Sequence, residues 1–280
     1  MHDQVLGGRH IFFSLRGSYF GRLISTSHVN TARQRKQSAC TRDAEFALAI
    51  ARNIVAAKIN NQMIVARRYG RTVRMDLARF CGSMNASSKA VMQSTTISQL
   101  TDHEGFAARQ YFRVLGSLVD PDFKFAGRTR RPPRDPFNSL ISLGYTLLLS
   151  EIYGKVELRS LNPYWAFFHQ DHERHPTLAS DLIEDWRAVI VDSLALSCLN
   201  GHEISRDNFE FGDNGGVTLD RYAFKAFVQK FEAKMNTKSR YLDYVDCSLS
   251  FRNAIELHVC RLAKAIDGND PGYYRPIRIR

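Results

Sequence analysis

Long hydrophobic runs are absent from this sequence. The longest, residues 140–149, has ten positions and contains a serine, a glycine and a tyrosine, whereas a membrane-spanning helix needs about 20 apolar residues. The first residues also lack the basic start and apolar stretch of a signal peptide. We therefore expect a cytoplasmic protein with no membrane partner.

Paired cysteines are missing as well. The five cysteines are scattered along the chain with no C-x-x-C pair. This spacing disfavours both a disulfide framework and a thiolate zinc site. Reduced thiols, as in cytoplasmic proteins, are the expectation.

Acidic residues are fewer than basic ones. Asp and Glu total 28 against 39 Lys and Arg, so the formal charge is +11, and most of the excess is arginine. The guanidinium group binds phosphate oxygens bidentately and stays charged. The balance predicts a polyanionic partner, most often a nucleic acid, and the alternative is a basic protein with no such partner.

The pattern along the chain predicts a mainly α protein. Residues 10–24 indicate two short strands with a turn at Gly17. From Thr41 onward the spacing of apolar residues is helical, with Asp43 capping a helix that reaches about Tyr69. Three helices are predicted within residues 72–116, around 75–80, 86–92 and 104–115.

The second half of the chain continues this pattern. Asp135-Pro136 is a helix start, and the helix at 137–153 is apolar nearly all round, which predicts burial. Further helices are expected at 178–200, 220–234 and 239–266. A hairpin at 209–219 is expected to turn at Asn214-Gly215-Gly216.

Three places put acidic or imidazole groups in apolar or basic surroundings. Glu104 lies in the first turn of its predicted helix, where a carboxylate is also explained by the helix dipole alone. His169 follows a bulky apolar run and is either a ligand or a core histidine. Asp181 and Glu184 share a helix face as i and i+3, and the alternative is a solvated acidic face with Arg187 as partner.

One histidine and two or three carboxylates make an oxygen-rich site, which suits Mg²⁺ or Mn²⁺ better than zinc. A zinc site formed by His169, His172 and His175 is conceivable, but its spacing matches no standard zinc motif. We expect Glu184 to face a solvent-accessible site.

Several motifs in one order resemble a known family. Residues 130–140, RRPPRDPFNSL, resemble the R-R-P-P-x-D-P-x-N-x-L stretch of the CRISPR-associated endonuclease and integrase, the first CRISPR-associated protein. Residues 104–112, 162–169 and 177–187 are similar to that family's first catalytic, histidine and S-L-A-x-D-L-x-E-x-x-R motifs, with Thr177 in place of the serine. The similarity covers the chain from about residue 10 and includes Gly215-Gly216-Val217 and Tyr274-Arg275-Pro276.

The resemblance implies an N-terminal β-domain followed by a helical catalytic domain. Most of that β-domain has no counterpart here, so residues 1–30 are expected to be its C-terminal remnant and 31–280 the catalytic domain. The family's metal ligands fall on Glu104, His169 and Glu184, and Asp181 matches a further catalytic carboxylate near the Mg²⁺ or Mn²⁺.

The resemblance also implies a function and partners. The expected activity is a metal-dependent DNA endonuclease and integrase that inserts spacer DNA into a CRISPR repeat array. The expected assembly is a homodimer, with the small second CRISPR-associated protein bridging two dimers. Candidate DNA contacts are Arg128, Arg130, Arg131 and Arg134, together with the basic residues of the first long helix.

Two other functions remain open at this point. One is a truncated, non-catalytic DNA-binding subunit of the same complex. The other is a helical metal hydrolase of small phosphoesters, which the arginine excess argues against because a small substrate needs no extended basic surface.

Overall fold

The computed structural model describes residues 29–123, 125–240, 242 and 244–279, and the backbone of two strands at 11–13 and 19–22. These strands, β1 (Ile11–Phe13) and β2 (Tyr19–Arg22), pair antiparallel, with Ile11 opposite Arg22. The predicted strand pair is thus confirmed, while the predicted turn at Gly17 lies outside the described residues.

Two helices begin the helical body. The first, α1 (Thr31–Arg42), is capped by Asn30 and starts earlier than the helical pattern predicted from residue 41. The second, α2 (Ala44–Thr72), is capped as predicted by Asp43, whose carboxylate accepts from the backbone N–H groups of Glu45 and Phe46. Because α2 packs against α1, against the two helices that follow it and against the segment 177–192, its middle is buried on nearly every side.

The region 72–116 contains two helices instead of the predicted three. They are α3 (Ala78–Gln93) and α4 (Ile97–Leu118). The capping group of α4 is Thr96, whose side chain accepts from the N–H of Gln99. A helix start near Glu104 is therefore wrong, because Glu104 lies two turns into α4.

The next helix, α5 (Pro136–Leu158), starts at the predicted Asp135-Pro136 pair. Its first residues are buried, but many later positions are only partly buried. The predicted burial on all sides therefore holds only for the first turns of the helix. The predicted hairpin is present as β3 (Phe209–Phe211) and β4 (Val217–Leu219), with Gly215 at φ 71° in its turn. Val217 N donates to Pro133 O at 2.9 Å, which fixes the hairpin to the loop before α5.

The predicted helix at 178–200 is a continuous but irregular rod. It comprises α6 (Thr177–Leu182), the short α7 (Glu184–Trp186), a π-helical segment (Arg187–Asp192) and α8 (Ser193–Asn200). Such wide turns inside helices are frequent at functional sites. This rod packs against both α2 and α5.

The last elements are α9 (Arg221–Asn236), the strand pair β5 (Lys238–Ser239) and β6 (Leu249–Ser250), and α10 (Phe251–Gly268). The predicted start of the last helix at Ser239 is wrong, since the chain pairs as strands before α10 begins. No helix among the described residues is long and apolar enough to cross a membrane. All five cysteines carry free thiols.

The segment after α10 returns to the middle of α2. The amide nitrogen of Asn61 donates to Asp185 O at 2.8 Å and to Ile277 O at 3.0 Å, and its oxygen accepts from Ile279 N at 3.0 Å. Asp185 Oδ2 also accepts from Ile277 N at 3.1 Å. Asn61 thus joins α2, α7 and the C-terminal segment beside Glu184.

Candidate active site

Two glutamates from different helices meet at the centre of α2. Glu104 comes from α4 and Glu184 from α7, and both carboxylates contact the ammonium group of Lys58 on α2. Glu104 is therefore not explained by the dipole of a helix start. It points into a cluster of charges between three helices.

The Glu184 side chain is only 2% exposed, so the expectation that it faces solvent is wrong. Its Oε1 lies 2.9 Å from an Arg187 nitrogen and its Oε2 lies 2.6 Å from Lys58 Nζ. Burial alone would raise the pKa of Glu184, but the positive charges of Arg187 and Lys58 lower it to about 2. Glu184 is thus a buried, ionised carboxylate, and Arg187 is its partner inside the protein instead of on a solvated face.

His169 is held by Asp181, which does not point towards the two glutamates. Asp181 Oδ2 accepts from the N–H groups of Phe167 and Phe168, and its Oδ1 lies 2.7 Å from His169 Nδ1. A hydrogen bond donated by Nδ1–H to this carboxylate leaves Nε2 as the unprotonated nitrogen, 3.9 Å from Glu184 Oε1. Burial lowers the pKa of His169, but the hydrogen bond to Asp181 and the negative charges of Asp181 and Glu184 together raise it more, so the net shift is upward.

The arrangement of Asp181 and His169 is the one that metal-binding histidines usually have. A carboxylate on one ring nitrogen fixes the tautomer and directs the other nitrogen towards the metal. Asp181 is positioned to orient His169 and the loop 167–169, with both of its oxygens occupied by these contacts.

Lys58 is the member of the cluster that the motif analysis did not assign to the site. As a basic residue of the first long helix it was a candidate DNA contact, and its burial shows that this expectation is wrong. Lys58 is 8% exposed, and the carboxylates of Glu184 and Glu104 raise its pKa, although burial acts in the opposite direction. The sequence did contain a signal: Lys58 lies four residues after Ile54 and so interrupts an apolar helical stripe. A lysine is rarely buried unless it is paired, so its position in that stripe indicates acidic partners.

The described residues bring the predicted ligands near one another but not into a complete metal site. His169 approaches Glu184, and Glu184 approaches Glu104 through Lys58. Within the part of the chain that the structure describes, no three His, Cys, Asp or Glu side chains converge closely enough to hold an ion. The same finding gives no support to zinc binding by the histidine loop, where His175 contacts Ser180 Oγ at 2.9 Å.

The donor set nevertheless fits a hard divalent cation. Two carboxylates and one imidazole nitrogen are ligands that Mg²⁺ and Mn²⁺ accept. Glu184 Oε2 is buried, and its only recorded contact in the described part of the chain is with the ammonium group of Lys58, at 2.6 Å. Exposure rises from 2% at Glu184 through 18% at Glu104 to 38% at His169, so the cluster opens to solvent on the histidine side.

The arginine loop divides into inward and outward side chains. The Arg128 guanidinium donates to Asn138 Oδ1 at 2.9 Å and Ser142 Oγ at 3.1 Å, which commits it to the fold. Arg130 and Arg131 are exposed, and Arg134 is exposed but donates to Asn214 O at 3.2 Å. The pKa of His175 is lowered first by burial and then by the charges of His169, His172 and Arg131. Arg131 therefore lies on the histidine side of the molecule.

A second polar cluster connects the helices behind the glutamates. Asp192, at the end of the π-helical segment, accepts from Tyr111 OH of α4 at 2.8 Å and from Tyr145 OH of α5 at 2.6 Å. Arg187 lies 5.0 Å above the Tyr145 ring. Because Tyr111 follows Glu104 on α4 and Asp192 follows Glu184 on the rod, this cluster helps to set the spacing of the two glutamates.

Comparison with known proteins identifies the family. The family model for the CRISPR associated protein Cas1 matches residues 7–233. A CRISPR-associated endonuclease Cas1 of Mycobacterium tuberculosis (strain CDC 1551 / Oshkosh) is 38% identical over 261 residues, which cover 92% of this chain and 76% of that protein.

Solved structures agree with this result. A CAS1 protein from Thermotoga maritima matches with a TM-score of 0.77 at 26% identity, over 93% of this chain and 79% of that one. A chain of a Cas6-RT-Cas1–Cas2 complex matches with a TM-score of 0.83 at 25% identity, over 97% of this chain and 30% of that one. The fold is thus that of a CRISPR-associated protein. The chain belongs to the Cas1 family, which confirms the resemblance seen in the motifs.

Proposed function

We propose that this chain is a metal-dependent DNA endonuclease and integrase that inserts spacer DNA into a CRISPR array. The observation that carries the proposal is the buried, ionised Glu184, which shares Lys58 with Glu104 and whose Oε1 lies 3.9 Å from His169 Nε2. Membership of the Cas1 family and the name of the Mycobacterium tuberculosis relative support the same activity.

In this proposal Glu104, His169 and Glu184 would hold Mg²⁺ or Mn²⁺. Such an ion supplies positive charge that favours ionisation of an attacking hydroxyl and stabilises the charge on the phosphodiester oxygens. The protein itself holds the histidine tautomer through Asp181 and keeps Arg187 beside Glu184, so these groups require little rearrangement during the reaction.

The proposed reaction is a transesterification. The 3′-oxygen of the spacer forms a bond to a phosphorus atom of the repeat, and the bond from that phosphorus to the repeat 3′-oxygen breaks. The proton lost from the spacer hydroxyl is balanced by the proton that the departing 3′-oxygen gains. Cleavage is the same exchange with water in place of the spacer hydroxyl.

The proposed partners are spacer and repeat duplexes, a second copy of the chain and Cas2 as the bridge between dimers. The exposed Arg130, Arg131 and Arg134 carry charge suited to phosphates on the histidine side, whereas Arg128 acts indirectly by holding the loop. A cytoplasmic location is part of the proposal, since CRISPR arrays are intracellular DNA.

The test is strand transfer of a short duplex into a supercoiled plasmid that carries a repeat, with Cas2 and Mn²⁺ present. Glu184→Gln should lower the rate by roughly 10²–10³, the usual effect of removing one electrostatic stabiliser of a transition state. Duplex binding should persist, because the phosphate contacts are assigned to arginines elsewhere. Addition of EDTA should stop transfer by the wild-type protein.

The matched control is Glu256→Gln. Glu256 is also a glutamate held by a lysine and an arginine, Lys155 at 2.8 Å and Arg159 at 2.9 Å, but it lies on α10 outside the site. The Glu256→Gln variant should carry out strand transfer at close to the wild-type rate. Transfer by Glu184→Gln at the rate of this control, or transfer by the wild type in EDTA, would contradict the proposal.

A further inference from the structure

Lys58 occupies the position between the two glutamates. Its ammonium group contacts Glu104 of α4 and Glu184 of α7 at the same time, and the residue is 8% exposed. The neighbouring α2 residues Ile54, Ala57 and Asn61 are fully buried, so the lysine stem crosses the core of the protein. Among the described residues, the charged end is paired with these two carboxylates.

The charges in this cluster depend on Lys58. Glu184 has a second cation, Arg187, but Lys58 forms the only ion pair of Glu104 within the described residues. Without the ammonium group, two carboxylates would face each other in a mostly buried space, and two such groups repel unless a cation lies between them. Lys58 thus holds the pair in place.

A divalent ion that binds the same two carboxylates would need the same space. An ammonium group and a divalent cation repel each other, and the repulsion is strong at contact distance in a poorly solvated site. The two cations therefore compete for the carboxylate pair.

We propose that Lys58 is the resident counter-ion of Glu104 and Glu184, and that a divalent metal ion binds by displacing its ammonium group from between them. This inference rests on the proposed function, because it takes the two glutamates as metal ligands. It makes Lys58 a positioning residue that keeps the empty site assembled and limits metal affinity.

The first experiment measures Mn²⁺ binding, from the electron paramagnetic resonance signal of free Mn²⁺, and thermal unfolding of the whole chain. Lys58→Met should unfold at lower temperature without metal, since it leaves two buried carboxylates uncompensated. It should bind Mn²⁺ more tightly, on the order of tenfold, within the usual range for coupling between two binding events. It should also gain more thermal stability from Mn²⁺ than the wild type does.

The matched control is Lys155→Met. Lys155 is a partly buried lysine paired with Glu256 at 2.8 Å, away from the glutamate cluster. This variant should bind Mn²⁺ like the wild type. If Lys58→Met folds and binds Mn²⁺ no more tightly than Lys155→Met, the inference is overturned.

If Lys58→Met does not fold, the wild-type protein decides the question. Its lysines are acetylated with a water-soluble ester, with and without saturating Mn²⁺, and each site is quantified by mass spectrometry. Displacement of the ammonium group predicts several-fold faster labelling of Lys58 with Mn²⁺ and no change at Lys155. Unchanged labelling of Lys58 while Mn²⁺ is bound would overturn the inference.

The result also separates this inference from the proposed function. A wild-type chain that binds no Mn²⁺ would refute the metal-dependent function, and the inference with it. A wild-type chain that binds Mn²⁺ with Lys58 still in place refutes the inference alone.

Discussion

Replacement of Asp192 by asparagine should change how the stability of the protein depends on pH. Asp192 is 1% exposed and accepts hydrogen bonds from Tyr111 and Tyr145. Burial raises its pKa from 3.8 to about 6, and this effect outweighs the hydrogen bonds and the charges of Arg187 and Arg128, which lower it. The folded protein therefore holds this proton at pH values where the unfolded chain has lost it.

The sign and the size of the effect follow from this difference. Between pH 4 and pH 6 the folded state binds more protons at this site than the unfolded state, so the free energy of unfolding falls as pH rises. A shift of about 2 pH units at about 1.4 kcal/mol per unit corresponds to about 3 kcal/mol. Asparagine does not titrate, and part of the effect has already developed at pH 4, so Asp192→Asn should gain about 2.5 kcal/mol relative to wild type between pH 4 and pH 7.

The assay is urea unfolding followed by the fluorescence of Trp165 and Trp186, at several pH values from 4 to 7.5 and at constant protein concentration. Any fixed cost of the asparagine cancels in the comparison, because only the change with pH is used. Asp220→Asn is the control that should differ from wild type by a nearly constant amount over this range, since the bond from Ala223 N lowers the pKa of Asp220 and this carboxyl has lost its proton above pH 4 in both states. A difference between Asp192→Asn and wild type that stays constant across this pH range would refute the reasoning.

Two further predictions concern DNA and packing. Duplex affinity should fall with salt, and the logarithm of the binding constant should fall against the logarithm of the salt concentration with a slope of about −0.9 per phosphate contacted. In the double variant Arg130→Ala/Arg131→Ala this slope should be smaller in magnitude by about 2. An unchanged slope in a salt titration of duplex binding would refute the assignment of these arginines. Gly144→Ala should lower the free energy of unfolding in urea by ~1–3 kcal/mol, because its Cβ would collide with Val191 of the π-helical segment. Gly82→Ala on α3, where nothing lies within 4 Å of the new Cβ, should instead raise the free energy of unfolding by ~0.5–1 kcal/mol. The reasoning fails if both variants change stability in the same direction.

Helix starts were predictable from the sequence where a capping residue precedes a clear apolar pattern. Asp43 and Asp135 cap helices as that pattern indicates, and the helix predicted from about residue 220 begins at Arg221. The prediction failed for α1, which has only Gln37 and Cys40 buried and so shows little apolar periodicity. Its position depends instead on distant contacts, such as the hydrogen bonds from Gln37 to Asn162 and Trp165, which local patterns do not reveal.

The candidate site was predictable in part. The motif match named Glu104, His169, Asp181 and Glu184, and the structure brings two of them to Lys58 and the other two to each other. Motif spacing did not reveal that Asp181 turns towards the loop 167–169, because i and i+3 positions share a face only in a regular helix. Residue 183 separates α6 from α7, and Asp181 and Glu184 fall on opposite sides of that break.

The hydrogen bonds of Asn61 restrict which residues can occupy position 61. Its side chain uses both amide hydrogens and its oxygen on three backbone groups, from Asp185, Ile277 and Ile279. Aspartate offers no donor, serine offers only one, and glutamine carries the amide one methylene further out, so no other side chain satisfies all three groups from this position. A saturation survey of the gene that scores the amount of folded protein should therefore find position 61 among the least tolerant, although the only side chain recorded in contact with its amide, within the described residues, is that of Asn60.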